Sequence, residues 1–268
     1  MRAPLRLRSS LSVIACMMLA APLMGDLVPV RQIEGLVRGF LVLRDMDNTL
    51  LATGDLSQVA TEVRVTNGLV FHFKDGSLHQ ETYVFSQHRT FQLISYHLVQ
   101  KGPSFKHPLD MSVDAASGLV TIHYTDDGKE KISSDRMTLP VDVANGLVTT
   151  LLNHIDPMAP KTTVSMVAPT FKPRLVKVEI SAVGEDTFSV GGAARKATRF
   201  VLHLNVGGVS GVVAPIIGKQ PPDTSVWMIE GKTPGFLKAE GPLFDGGPVW
   251  RIETASPVWP KGAPAQKH

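Results

Sequence analysis

Cysteine is almost missing. The 268 residues hold one, Cys16, so the rest of the chain has no disulfide, no thiolate nucleophile and no Cys-ligated metal. Long apolar runs are also missing. The longest, Leu11 to Met24, is mostly apolar but spans only 14 residues, short of the roughly 20 that cross a bilayer as a helix. Hydrolase and nucleotide signatures are absent: there is no G-x-S-x-G, H-E-x-x-H, S-x-x-K or phosphate loop. No stretch between 30 and 255 reads as a linker, and no fixed-period repeat occurs.

What the first residues do have is a layout. Arg2, Arg6 and Arg8 precede the apolar run, the basic-then-apolar order of a secretory signal. Residues 1–25 are therefore expected to be a signal peptide, cut near Gly25 or Asp26. Val13-Ile14-Ala15-Cys16 has the form of a lipobox, but the apolar length before it is short. A lipid anchor at Cys16 is the lesser alternative to a periplasmic or secreted protein. Setting the three leader arginines aside leaves 24 basic and 24 acidic side chains out of 27 and 24. The sequence pI near 9.0 thus owes much to the leader, and no basic stripe remains for nucleic acid.

Strand signals dominate the rest. They fall at 36–44, 50–56, 59–66, 70–74, 77–85, 89–100, 119–124 and 129–139, then at 162–168, 174–183, 185–191, 194–206, 225–231, 235–241 and 248–254. Asp75-Gly76 and Asp127-Gly128 mark hairpin turns. Phe71 and Phe73 share one face of their strand, with His72 and Lys74 on the other. Val176, Val178 and Ile180 alternate with Leu175, Lys177 and Glu179 in the same way.

One segment breaks this pattern. In 140–155, Val143, Leu147, Leu151 and Ile155 recur every four residues, the spacing of one helical face. Asp142 reads as its N-cap. The expected fold is mainly β: a curled antiparallel meander, an open half-barrel, around one central helix. The domain is expected over 26–260, with a disordered tail at 261–268.

The candidate sites are of three kinds. The histidines at 72, 79, 88, 97, 107, 123, 154 and 203 are the natural metal donors, and His79, Glu81 and His97 are the three best placed to share a face. No His-x-His or His-x3-His pair occurs, so no metal and no cofactor is expected. For an enzyme, the weak catalytic candidates are His72, Lys74, Asp75, His79 and Glu81. For a binding protein, the expected ligand-lining residues are Phe71, Phe73, Leu147, Leu151 and Ile216. Residues 206–217 carry no charge and are the expected place for contact with a membrane or apolar ligand.

FHFKDGSLHQET (71–82), YHLVQKGPSF (96–105), KPRLVKVEI (172–180), GKQPPD (218–223) and GPVWRIE (247–253) resemble a family of exported bacterial proteins of unknown function. The strand-rich plan with a central helix is also similar to the lipoprotein-carrier (LolA/LolB-like) superfamily. That second resemblance implies a curved half-barrel that holds acyl chains in its concavity. Together they lead to an exported binding protein for a lipid, acyl chain or lipidated partner. The alternatives are an envelope hydrolase and a structural envelope protein without a small ligand.

Overall fold

The computed structural model describes residues 25–126, 128–190, 193–205, 220–229, 231 and 235–255. Eight strands follow one another: β1 (Val37–Arg44), β2 (Leu50–Thr61), β3 (Arg64–Phe73), β4 (Leu78–Gln87), β5 (Phe91–Lys101), β6 (Leu109–Asp114), β7 (Leu119–Asp126) and β8 (Lys129–Arg136). The chain then runs through a short helix, α1 (Val148–Leu152), into six more. These are β9 (Thr162–Val167), β10 (Leu175–Val190), β11 (Ala193–Asn205), β12 (Thr224–Ile229), β13 (Gly235–Pro242) and β14 (Val249–Thr254). Strand β14 pairs antiparallel with β1, which joins the two meanders into one 14-stranded sheet.

Its outer strands are β8 and β9, and they do not pair with each other. The sheet is therefore curled but not closed, and the 137–161 connection links one edge to the other. An unpaired edge invites aggregation unless it is blunted. Strand β8 carries Lys129, Glu130, Lys131, Asp135 and Arg136 along an exposed edge. Strand β9 is covered: Val143 bridges Ser165, and Asp26 N–H donates to the Thr163 carbonyl at 2.6 Å.

Alternation explains the core. Val65, Phe71 and Phe73 of β3 point inward, as do Val176, Val178 and Ile180 of β10. Two apolar clusters result. The larger gathers Val143, Leu147, Leu151 and Ile155 against β3 to β7 and β9 to β12. The smaller is aromatic, built on Phe71, Phe73, Phe105 and Trp250, with Phe244 packed against it. Burying one such side chain stabilises the fold by about 1.5–3 kcal/mol.

Several expectations need correction. The four-residue spacing of Val143 to Ile155 does mark a buried stripe, but only five residues are α-helical. Gly146 has φ +73°, which stops a helix running through it. Residues 142–144 instead exchange backbone hydrogen bonds with Ser165 of β9. Asp142 is not an N-cap; its side chain bonds Ser165. The two short strands expected over 50–66 are one long strand and the start of the next, reversing at Glu62 with φ 54°. The strands expected at 174–183 and 185–191 are the single β10, interrupted by a bulge at Ala182–Gly184. Strand β6 had no counterpart in the sequence reading. The Asp75-Gly76 turn is present, with Gly76 at φ 85°.

Candidate functional site

The sheet separates the residues singled out in the sequence. Leu147 and Leu151 are buried in the larger cluster, Phe71 and Phe73 in the aromatic one. Four of the five expected lining residues are thus buried in core packing, at two places. Ile216 and the whole of 206–217 lie outside the described residues.

The catalytic candidates divide between the two faces of the sheet. His72, Lys74 and Asp75 are exposed, whereas His79 and Glu81 point inward. Asp75 accepts Ser104 Oγ–H at 2.7 Å and Ser77 N–H at 2.9 Å. Those bonds, that from Ser104 first, hold its carboxyl below the usual range. They tie the β3–β4 turn to the 102–105 loop. The five groups do not converge on one cleft.

Inside, His79 and Glu81 are environments rather than a pair. His79 Nδ1 lies 3.1 Å from Gln100 Nε2, which also donates to the Leu243 carbonyl at 2.9 Å. An amide nitrogen only donates, so Nδ1 accepts and the ring hydrogen is on Nε2. The ring lies between Phe71 and Phe105, with centroids at 6.1 and 6.3 Å. Burial pushes its pKa down to about 4. Glu81 Oε1 accepts from the Tyr96 hydroxyl at 2.8 Å. Burial raises its carboxyl, and the Tyr96 bond only partly opposes this. The Tyr96 phenol is in turn raised by burial and by the neighbouring Glu81.

The supposed metal face fails on register. His97 lies opposite Thr82, on the outer surface, and meets Asp110 at 2.9 Å. Among the described residues no group of three or more His, Cys, Asp or Glu is arranged to hold a metal ion. Of the other histidines, His107 stacks on Tyr124 at 5.5 Å, and His203 Nδ1 meets Asp223 Oδ1 at 2.7 Å. His88 and His123 are exposed.

Two buried polar groups escaped the sequence reading. In the first, Glu34 reaches inward to His154 and Gln58 at 2.9 Å each. Gln58 accepts from Asn67, while Gln87 pairs with the backbone of Glu34. Burial alone would raise the Glu34 carboxyl; bonds from His154 and Gln58 outweigh it and hold the group low. The second group is Asp142, Ser165 and Lys177 at the β9 edge. In the first group Gln58, Asn67 and Gln87 are polar residues at inward positions, and that was the available signal. Ser165 and Lys177 pair on the other face of the sheet and gave none.

A concavity with an aromatic lining lies at the seam, where the β8 end of the sheet approaches the β9–β10 turn, with Lys131 Nζ 5.8 Å from the Phe171 ring. A cleft of about 120 Å³ opens between β7 and the β9–β10 turn, lined by His107, Tyr124, Phe171, Phe244, Leu109 and Gln100 among others. Its floor continues inward. Phe244 meets Phe105 at 5.4 Å and Trp250 at 5.8 Å, and both contact Phe73, at 5.4 and 5.5 Å. The cleft therefore backs onto the aromatic cluster, with the Leu243–Phe244 loop as the partition and Gln100 as its tether. A second concavity, of about 290 Å³, lies at the β4–β5 turn. It is lined by Ser86, His88, Arg89, Thr90 and Gln92.

No family model matches the chain, and no curated protein matches it. Among solved structures it is similar to a beta-barrel-like protein of a domain of unknown function, DUF1849, from Brucella abortus. The two share 9% identity with a TM-score of 0.44, over 87% of this chain and 98% of that one.

Proposed function

We propose that this is an exported, periplasmic or secreted binding protein that takes an apolar group, such as an acyl chain, at the seam cleft. One observation carries the reading: across the cleft, β7 and the β9–β10 turn meet through side chains instead of a strand ladder, with the Tyr124 and Phe171 rings 5.9 Å apart. Side chains can part without breaking a ladder of backbone hydrogen bonds. Ligand sites commonly hold about 300–1,000 Å³, so a 120 Å³ cleft takes the end of a chain and no more. A longer ligand enters by displacing Phe244 away from Phe105 and Trp250. An open half-barrel that shelters acyl chains is also what resemblance to the lipoprotein-carrier superfamily implies. The uncharged 206–217 segment supplies the membrane contact in this reading.

Native mass spectrometry of protein purified from its own envelope is expected to show co-purifying lipid. Fluorescent fatty acid is expected to bind, and Phe171→Asp to weaken that binding at least tenfold. Clean apo protein that takes up no fatty acid rules the reading out. The filled interior, with two packed clusters, favours as a second reading an envelope protein with no small ligand. That same result would select it.

A further inference from the structure

Asp142 stands at the covered edge of β9 with its side chain fully enclosed. Oδ2 accepts from Ser165 Oγ at 2.6 Å and from Lys177 Nζ at 3.3 Å. Lys177 also donates to Ser165 Oγ at 2.8 Å, so its charge is shared. Oδ1 is buried and has no hydrogen-bond partner among the described residues. A buried carboxylate oxygen left in that state is costly, and native folds supply a donor or cation to it.

The chain itself brings a candidate donor. Gly25 lies against this carboxylate so closely that a side chain there would overlap Asp142 Oδ2 and the Thr163 carbonyl. Asp26 then runs along β9. Its N–H donates to the Thr163 carbonyl, and its own carboxylate accepts Thr163 N–H at 2.7 Å. The main chain thus joins the fold at the one buried acid of this edge that has an empty acceptor. As an ordinary peptide unit, Gly25 offers one hydrogen and no charge.

We infer that Gly25 is the first residue of the processed protein and that its α-ammonium completes the Asp142–Ser165–Lys177 cluster. A leader-removing peptidase hydrolyses the Met24–Gly25 peptide bond. One water is consumed, Met24 leaves with a carboxylate, and Gly25 gains a three-donor cation beside Asp142. Cleavage then acts as a maturation latch, locking the β9 edge only after the leader is gone. The inference rests on the export reading and is independent of the ligand.

The charged groups facing the new terminus are Asp142, Lys177 from β10 and Asp26 from its own segment. The Lys161–Glu179 pair, at 3.0 Å, lies beside Thr163. A free α-amino group titrates near pH 8, and a neighbouring carboxylate raises that value. The stabilisation is therefore full below about pH 8 and is lost as pH rises through the raised value.

Two chains test this, one beginning at Gly25 and one carrying Ala-Ser before it. At pH 7 the first is expected to melt about 5 °C higher, the scale of a moderate stabilisation in a chain of this size. The gap is expected to close by about pH 10, with Lys177 common to both chains, and to vanish in Asp142→Asn. If that variant does not fold, the pH series decides alone. Equal melting at pH 7, or a gap that persists at high pH, overturns the inference. Intact mass of the exported protein is expected to begin at Gly25. A cut elsewhere overturns this inference alone, whereas an uncut leader overturns the export reading as well.

Discussion

His154 Nε2 lies 2.9 Å from Glu34 Oε1, although 120 residues separate them. The other ring nitrogen, Nδ1, accepts the Arg31 N–H at 3.2 Å. The ring hydrogen therefore sits on Nε2 and is donated to Glu34. This bond pins the N-terminal segment to the turn after α1, inside the curl of the sheet. Glu34→Ala leaves His154 and Gln58 without their partner. Leaving buried donors unpaired costs about 1–3 kcal/mol, and chemical denaturation is expected to show it.

The same carboxyl sets an acid limit. Glu34 is held below its ordinary 4.5 in the fold. Its stabilisation is present above that value and lost as pH falls from it through the lower, folded one. Wild-type urea midpoints are expected to drop steeply below about pH 4.5, and Glu34→Gln to flatten that fall. An unchanged slope in the variant would contradict the network's role.

His79 acts at higher pH. Its folded pKa is about 4 against 6.5 for the free group. The unfolded chain therefore takes up a proton first, and stability falls as pH drops from about 6.5 to 4. The full loss is about 3 kcal/mol. His79→Gln is expected to remove the decline between pH 6.5 and 4.5 and leave the Glu34 limb below it. Titration of stability in both proteins separates the two windows.

The legible part of the fold was its alternation. Phe71 in, His72 out, Phe73 in holds because β3 is half-buried, and the Asp75-Gly76 turn sets the β3–β4 register. Strand β6 does alternate, with Leu109, Met111 and Val113 inward and Asp110, Ser112 and Asp114 outward. Its signal is only six residues long and follows a Pro-containing loop, so it escaped the sequence reading. The helix was overread because a four-residue spacing also fits an irregular segment that packs one stripe inward. Gly184 split β10 on paper, whereas in space it sits at a bulge within a continuous strand. Gln58, Asn67 and Gln87 are polar, yet they sit at inward positions, where Gln58 and Gln87 meet Glu34 and Asn67 meets Gln58. The cleft was beyond reach of local pattern: His107, Tyr124, Phe171 and Phe244 meet only through the curl of the sheet.

Gly146 tests why the helix is short. At φ +73°, with the Tyr83 ring filling the space where a Cβ would go, alanine cannot be accommodated without movement. Gly146→Ala is expected to destabilise by about 2 kcal/mol, even though alanine is the better helix former. A neutral or stabilising result would show that the segment can become helical.

Sheet faces can be checked with two phenylalanines. Phe71 is 0% exposed and Phe40 is 67% exposed. Phe71→Ala is expected to cost about 3–5 kcal/mol, and Phe40→Ser to lie within about 0.5 kcal/mol of wild type. Thermal melts of both variants report this directly. Comparable losses would contradict the inward and outward assignment.

The most direct test of the binding reading is fatty-acid uptake by wild-type protein and by Phe244→Ala. Removing the partition joins the 120 Å³ cleft to the aromatic cluster behind it. The expected result is saturable binding by wild type and acceptance of longer chains by the variant. Absence of binding in both proteins, with no lipid carried from the envelope, would contradict it.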